Sequence, residues 1–387
     1  MDSNGEQTLV RASVLYGAKD LRIDSRPLPP PESEEVQVAV QSTGICGSDL
    51  HYYTHFRNGD ILVHEPLTLG HESTGIVLVV GSGVTNLSVG DAVALEVGQP
   101  CESCSHCSEG RYNICRDMRF RSSAKSFPHA QGTLQERINH PARWCHRLPD
   151  TVSPALGALI EPLSVAIHAT NRAALRKGAK ILVLGAGAVG LLVAAMCKIN
   201  GASDVVISDV DEGRSNFAVQ HRFAHHCLIA PTIRGADINE DLRLAKESAQ
   251  RYGGVNSIGG GAIGEYDAVF ECTGVQSCLQ TAIFATRPGG KVMILGMGSP
   301  IQTLPISAAA LREVDLCGVF RYANAYPTAI KVLSTVAEDY PDFPSLISHS
   351  FYGLDSVEDA FAMACRKVDD AGKLVLKVTV NMKIGDS

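Results

Sequence analysis

Short runs in which apolar and polar positions alternate fill the chain from about residue 8 to 150. Val36-Gln37-Val38-Ala39-Val40 and the stretch 74–80 are examples, set apart by Gly and Pro. A period of two marks half-buried strands, so this part reads as an antiparallel barrel or sandwich. Near residue 152 the texture changes to an Ala-rich helical stretch around Glu161-Pro162, and apolar strands then alternate with helical segments. Strands are expected at Lys180–Leu184, 204–208, Tyr266–Glu271 and 291–296. Helical connections between them predict a parallel, doubly wound sheet. Beyond residue 320 the pattern gives helices at 326–338 and 354–366 and a last strand at 372–380, with no linker before them. The expected organisation is therefore α/β: a β-rich domain from 1–160 with 325–387, and a nucleotide-binding domain from 161–324. The Gly-rich stretch 257–264 follows no strand and reads as a flexible loop, not a phosphate cradle.

Composition narrows the function classes. At 387 residues the chain has room for more than one domain, and 45% hydrophobic against 19% charged residues excludes intrinsic disorder. Gly, Lys or Asp break every apolar stretch short of the roughly 18 residues a bilayer span needs. With 34 Lys plus Arg against 41 Asp plus Glu, the net charge of -7 would repel a phosphate backbone, so neither a nucleic-acid nor a membrane partner is expected. Residues 1–6 are polar without an apolar follow-on and 383–387 carry no retention signal, which points to the cytoplasm. There, 12 cysteines are expected to be reduced. Seven of them, Cys145, Cys197, Cys227, Cys272, Cys278, Cys317 and Cys365, stand singly and read as small buried side chains.

The other five carry chemistry. Cys101, Cys104, Cys107 and Cys115 have the spacing of a four-thiolate zinc site with no open position, hence a structural one, in a loop that needs an anchor; His106 between them reads as a bystander. Gly185-Ala186-Gly187-Ala188-Val189-Gly190 follows a strand, opens a helix and is followed by a strand ending at Asp209. This is the context a dinucleotide fingerprint requires: Gly185 for the turn, Gly187 for approach of the pyrophosphate, Gly190 for helix–strand contact. Asp209 would accept from ribose hydroxyls and repel a 2′-phosphate, favouring NAD, while Arg214 is offset by Asp209 and Asp211. Cys46, His71 and Glu72, with Glu161, would give a catalytic zinc a thiolate, an imidazole and carboxylates, although their spacing alone is weak.

Together these motifs resemble the zinc-containing medium-chain dehydrogenases over about residues 10 to 380, with a GroES-like catalytic domain and a Rossmann domain. Within them, Gly44-Ile45-Cys46-Gly47-Ser48-Asp49-Leu50-His51-Tyr52, Leu69-Gly70-His71-Glu72-Ser73, Glu161-Pro162-Leu163-Ser164-Val165, Glu271-Cys272-Thr273-Gly274 and Gly318-Val319-Phe320-Arg321-Tyr322 look like the fungal-type sorbitol, xylitol and L-arabinitol dehydrogenases. The resemblance implies Cys46, His71 and Glu72 as catalytic zinc ligands, and Glu161 as a carboxylate that holds the metal's water or joins it transiently. It implies Tyr52, Phe120, Glu161, Arg321 and Tyr322 around a polyol, and Val189, Asp209, Arg214, Leu295, Met297, Phe320 and Arg321 against the cofactor. A homotetramer is implied as well. The segment 119–132 departs from the pattern of the xylitol and L-arabinitol members beside the expected pocket, so the preferred polyol stays open.

The mechanism that follows is hydride transfer from a zinc-bound hydroxyl carbon to NAD, with the proton leaving through Ser48 and Glu161 and His51 assisting or serving only as structure. Oxidation of another secondary alcohol or an amino-alcohol is the alternative. A catalytically inactive zinc- and nucleotide-binding protein is a remote one.

Overall fold

A computed structural model describes residues 8–382. The terminal residues read for targeting signals lie outside them. The described chain forms two compact units.

The first unit gathers Met1–Glu161, Tyr326–Thr335 and Phe343–Ser387. Its main sheet is built around the strand Glu35–Gly44, which pairs antiparallel with Glu72–Val80, Arg137–Pro141 and Lys377–Asn381. Ala92–Leu95 and Cys145–Arg147 extend it on one side, and Ile347–Tyr352 runs parallel to Lys377–Asn381 on the other. Val36, Val38 and Val40 of the central strand are buried, and so is the intervening Ala39, because the sheet is covered on both faces. In this register Gly44 lies opposite Glu72. A Cβ at Gly44 would come within 2.3 Å of the Glu72 carboxylate, so a bare Cα is what lets that carboxylate fold back against the strand. A core of Leu15, Tyr52, Tyr53, Leu67, Leu134 and Phe361 packs beneath.

The second unit gathers Pro162–Ala325 and Val336–Asp342. Its six strands among the described residues are all parallel, in the order His226–Ile229, Asp204–Asp209, Lys180–Leu184, Tyr266–Glu271, Thr286–Ile294, Asp315–Gly318. By chain order this is 3-2-1-4-5-6, which reverses direction beside Lys180–Leu184, where ligands of such sheets bind. The first and last of these strands escape the hydrophobic pattern because each has four residues and sits at an edge, half-exposed.

Several local expectations change. The helix from Tyr326 ends at Leu333 because the hydroxyls of Ser334 and Thr335 donate back to the carbonyls of Ile330 and Lys331 at 2.7 and 2.8 Å. The next residues pack with the second unit instead, where His221 Nδ1 meets Asp342 at 2.9 Å. The Gly-rich stretch is a closed hairpin, bridged at Asn256 and Ala262, not a loose loop. Buried Asp204 ties it down by accepting from Ser257 Oγ and Ile258 N, both at 2.9 Å. Cys365 is exposed just past the helix Val357–Ala364, unlike the buried Cys145 and Cys197.

Candidate catalytic metal centre and nucleotide cradle

Cys46 immediately precedes the helix Gly47–His55, while His71 and Glu72 lead into the strand Glu72–Val80. The sheet brings these two segments together, and one donor atom from each of Cys46, His71 and Glu72 lies within 4.8 Å of the others. Zinc bonds of about 2.0–2.3 Å in tetrahedral geometry put ligand atoms roughly 3.3–3.8 Å apart, so a small cation fits between these three donors with little adjustment.

A buried layer stands behind them. Asp49 accepts from His71 Nδ1 at 3.2 Å, from Ser122 Oγ at 2.6 Å and from the Cys46 amide at 3.1 Å. The bond from Nδ1 leaves Nε2 of His71 as the ligating atom. Burial disfavours the His71 cation, but the neighbouring Asp49 and Cys46 outweigh it and hold its pKa well above the usual imidazole value. Such a site attracts positive charge. Lys377, with a side chain only 5% exposed, donates to both oxygens of Glu72 at 2.8 and 2.7 Å and to the Ile45 carbonyl at 3.2 Å. Burial opposes its charge too, yet Glu72 and Cys46 raise its pKa. Glu161 is buried and adds to the same field. Ser48 is half-buried on the helix and His51, one turn on, is exposed. Phe120 closes over the imidazole, ring centres 5.5 Å apart. Tyr52 is buried in the core, its hydroxyl accepting from the Ala124 amide at 3.2 Å, a bond that fixes the ring without using its O–H proton.

The four thiols of Cys101, Cys104, Cys107 and Cys115 also converge within 4.8 Å, without His106. The 3.5 and 4.0 Å gaps from Cys107 to Cys104 and Cys101 match the spacing of sulfurs around a tetrahedral zinc. Hydrogen bonds from Ser103 pull the Cys101 thiol down to about 6, while burial and the bond to Cys104 push Cys107 up to about 12. Only a shared cation makes all four thiolates at once. The lobe is rooted in the sheet through Tyr112, whose hydroxyl donates to buried Glu96 at 2.6 Å beside His146 at 2.7 Å.

In the second unit the helix Ala188–Ile199 has Gly187 at its N-cap and no side-chain cap, leaving its first amides for an anion. No atom lies within 4 Å of where a Gly187 Cβ would stand, and a Gly190 Cβ would meet the Gly185 carbonyl at 1.9 Å. A dinucleotide therefore fits this cradle. Asp209 ends the next strand and accepts from Ala186 N at 2.7 Å, so its carboxylate sits beside the turn. Val189 is half-buried at the helix start, and Arg214 lies in the helix capped by Asp211. Leu295 is half-buried and Met297 exposed after the strand Thr286–Ile294. Arg321 has a left-handed φ of 52° and lies over the Phe320 ring at 4.8 Å; Tyr322 is buried. Tyr52 and Phe120 belong to the first unit, Arg321 and Tyr322 to the second.

Sequence reasoning missed Asp49, Ser122 and Lys377, and also Glu271, whose buried carboxylate accepts from the amides of Thr273 and Gly274 at 2.7 and 3.0 Å. Asp49 and Glu271 stood inside quoted motifs and went unassigned. Lys377 gave one readable signal, a charge inside an apolar strand.

A thiolate–imidazole–carboxylate centre, a four-thiolate lobe and a dinucleotide cradle define a zinc-dependent dehydrogenase. Two family models match the chain, the alcohol dehydrogenase GroES-like domain over residues 32–150 and the zinc-binding dehydrogenase over 188–335. A sorbitol dehydrogenase from Gallus gallus is 39% identical, covering 95% of this chain and 96% of its own. An L-idonate 5-dehydrogenase from Vitis vinifera is 36% identical over 98% and 96%. Among solved structures, an Escherichia coli oxidoreductase of unknown specificity superposes with a TM-score of 0.81 at 30% identity, covering 97% of this chain and all of its own. The chain belongs to the zinc-dependent medium-chain dehydrogenases, in the polyol dehydrogenase family that includes the sorbitol dehydrogenases.

Proposed function

We propose that this chain is an NAD-dependent polyol dehydrogenase that oxidises a secondary hydroxyl of sorbitol, xylitol or L-arabinitol to the ketose, with one catalytic and one structural zinc. The observation that carries this reading is the convergence of Cys46, His71 and Glu72 on one point, with His71 backed by buried Asp49 and Glu72 by buried Lys377. The unit holding both donor clusters, Met1–Glu161 with Tyr326–Thr335 and Phe343–Ser387, serves as the catalytic domain, and the other, Pro162–Ala325 with Val336–Asp342, as the NAD-binding domain.

When bound, zinc supplies a Lewis acid that lowers the pKa of the reacting hydroxyl, and the nicotinamide supplies the hydride acceptor. The chain's residues do the rest. Asp49 fixes the imidazole of His71, and Lys377 offsets the Glu72 charge so that the donor set does not overbind the cation. Glu161, buried beside the donor set, would orient a hydroxyl brought to the centre. Ser48 Oγ takes the proton and passes it along the helix to His51, three residues on and open to solvent. Phe120 keeps water from the imidazole face. The family resemblance assigns Tyr52 to the pocket wall and Arg321 and Tyr322 to the remaining hydroxyls, since each one left unpaired costs affinity. Val189, Leu295, Met297, Phe320, Arg321 and Arg214 complete the NAD site around Asp209.

The Vitis relative brings in a second reading, a polyhydroxy acid as substrate, for which Arg321 offers a carboxylate partner. NADH formation by zinc-loaded protein tests both, across D-sorbitol, xylitol, L-arabinitol, L-idonate, a simple secondary alcohol and an amino-alcohol. Preference for one polyol supports the proposal, and L-idonate above all polyols replaces it with the second reading. Equal activity on the simple alcohol refutes polyol recognition, while silence throughout leaves the inactive zinc- and nucleotide-binding protein. No helix among the described residues is long and apolar enough to cross a membrane, and a cytoplasmic homotetramer fits this chain. The edge strand Asp315–Gly318 and the exposed Leu311 and Ile301 support assembly, which sedimentation would measure.

A further inference from the structure

The segment 119–132 reaches the metal centre from behind. Arg119–Phe120 pairs with Gly98–Gln99, and the next residue but one after Phe120 is Ser122, 4% exposed. Its hydroxyl donates to Asp49 Oδ1 at 2.6 Å and accepts from the Gly70 amide at 3.0 Å. Its own amide donates to Ala130 O at 2.8 Å, closing the segment on itself. Asp49 Oδ1 is the same oxygen that receives His71 Nδ1, and Gly70 is the residue just before His71. One hydroxyl thus grips both the peptide that carries the imidazole and the carboxylate that orients it. Of the bonds to Asp49, the one from Ser122 is the shortest. Ser122 holds this position with φ at 61°, a left-handed conformation that costs a non-glycine residue about 1 kcal/mol or more. A loop that only walled a pocket would gain nothing from a strained serine there, since glycine would adopt the same backbone freely.

We infer that Ser122 is a positioning residue for His71, so that the segment lining the substrate pocket also sets how firmly the catalytic metal is held. This rests on the reading of His71 as a metal ligand. Outer partners of ligating histidines are typically worth 10–100-fold in metal affinity, and Ser122 acts through one such partner.

The test follows zinc release from the intact, loaded enzyme into a chromogenic chelator, for the native chain, Ser122→Ala and Ser122→Gly. The alanine variant keeps the strain and loses the hydroxyl; the glycine variant loses both and folds without the strain. Both are expected to release the catalytic zinc about 10-fold faster or more. The zinc of the four cysteines, released in a separate phase, should be unchanged, and NAD binding with it. Cobalt-substituted protein should show shifted ligand-field bands in both variants. Unchanged release in both, or faster release in Ser122→Ala alone, overturns the inference, the latter by assigning the effect to backbone strain. His71→Ala separates the two levels: if it retains both metals, the ligand reading fails, whereas loss of one metal there with native release in the Ser122 variants sinks the Ser122 role alone.

Discussion

Replacing Lys377 with methionine should destabilise the metal-free protein and make its stability depend on zinc. The ammonium has 2.8 and 2.7 Å bonds to the two Glu72 oxygens, and both side chains are within 5% of full burial. At an effective dielectric near 20, charges about 3 Å apart attract by roughly 5–6 kcal/mol. Desolvation takes back much of this, so the pair's net worth is small, but removing one partner of such a pair costs about 3–5 kcal/mol because the other charge is stranded.

The expected loss in metal-free Lys377→Met is therefore about 3–5 kcal/mol at pH 7. Adding Glu72→Leu should restore most of it, since neither charge then remains. Zinc should restore it differently, by standing in as counter-charge at pH 7. The chain's one tryptophan, Trp144, lies in the same unit as the pair, so urea unfolding followed by its fluorescence reads the right transition. A loss under about 1 kcal/mol at pH 7, or no rescue by Glu72→Leu, would refute the reasoning.

His225 is burdened by burial and by Lys198, which lower its pKa from 6.5 to about 4, and its Nδ1 accepts the Val205 amide at 3.1 Å, which only the neutral ring can do. The unfolded chain binds that proton first, so stability should fall as pH drops from about 6.5 to about 4, and His225→Asn, which keeps an acceptor, should flatten this limb in urea titrations. Asp209→Ala should lower kcat/KM for NAD by about 10–100-fold, or 1.4–2.7 kcal/mol, and narrow the gap to NADP, measured as initial rates with each cofactor. Cys107→Ser should cost one zinc per chain by metal analysis and expose the segment 100–117 to limited proteolysis, with the Cys46 centre still loaded.

What the sequence made legible was chemistry carried by neighbours in the chain. Cys101 to Cys115 and Gly185 to Gly190 each lie within a single turn or loop, so spacing encodes geometry, and the structure gathers both sets. The Cys46, His71, Glu72 centre needs two strands to register, which is why spacing alone left it weak and only family likeness named it. Its supporting layer is further out of reach. Lys377 stands 305 residues from Glu72, and Ser122 stands 73 from Asp49. Their roles arise when a strand from the far end of the chain completes the sheet beside Glu35–Gly44 and a left-handed residue turns inward. The same logic explains the misread hairpin at 257–264, where Asp204, some 50 positions earlier, supplies the anchor. A polar group buried by such long-range closure has no local pattern to announce it, because its partner is fixed by register and not by sequence neighbours. Burial nonetheless demands the partner. The charge at Lys377, inside the buried run of the strand Lys377–Asn381, could therefore have been read from sequence as the mark of an acid waiting across the sheet.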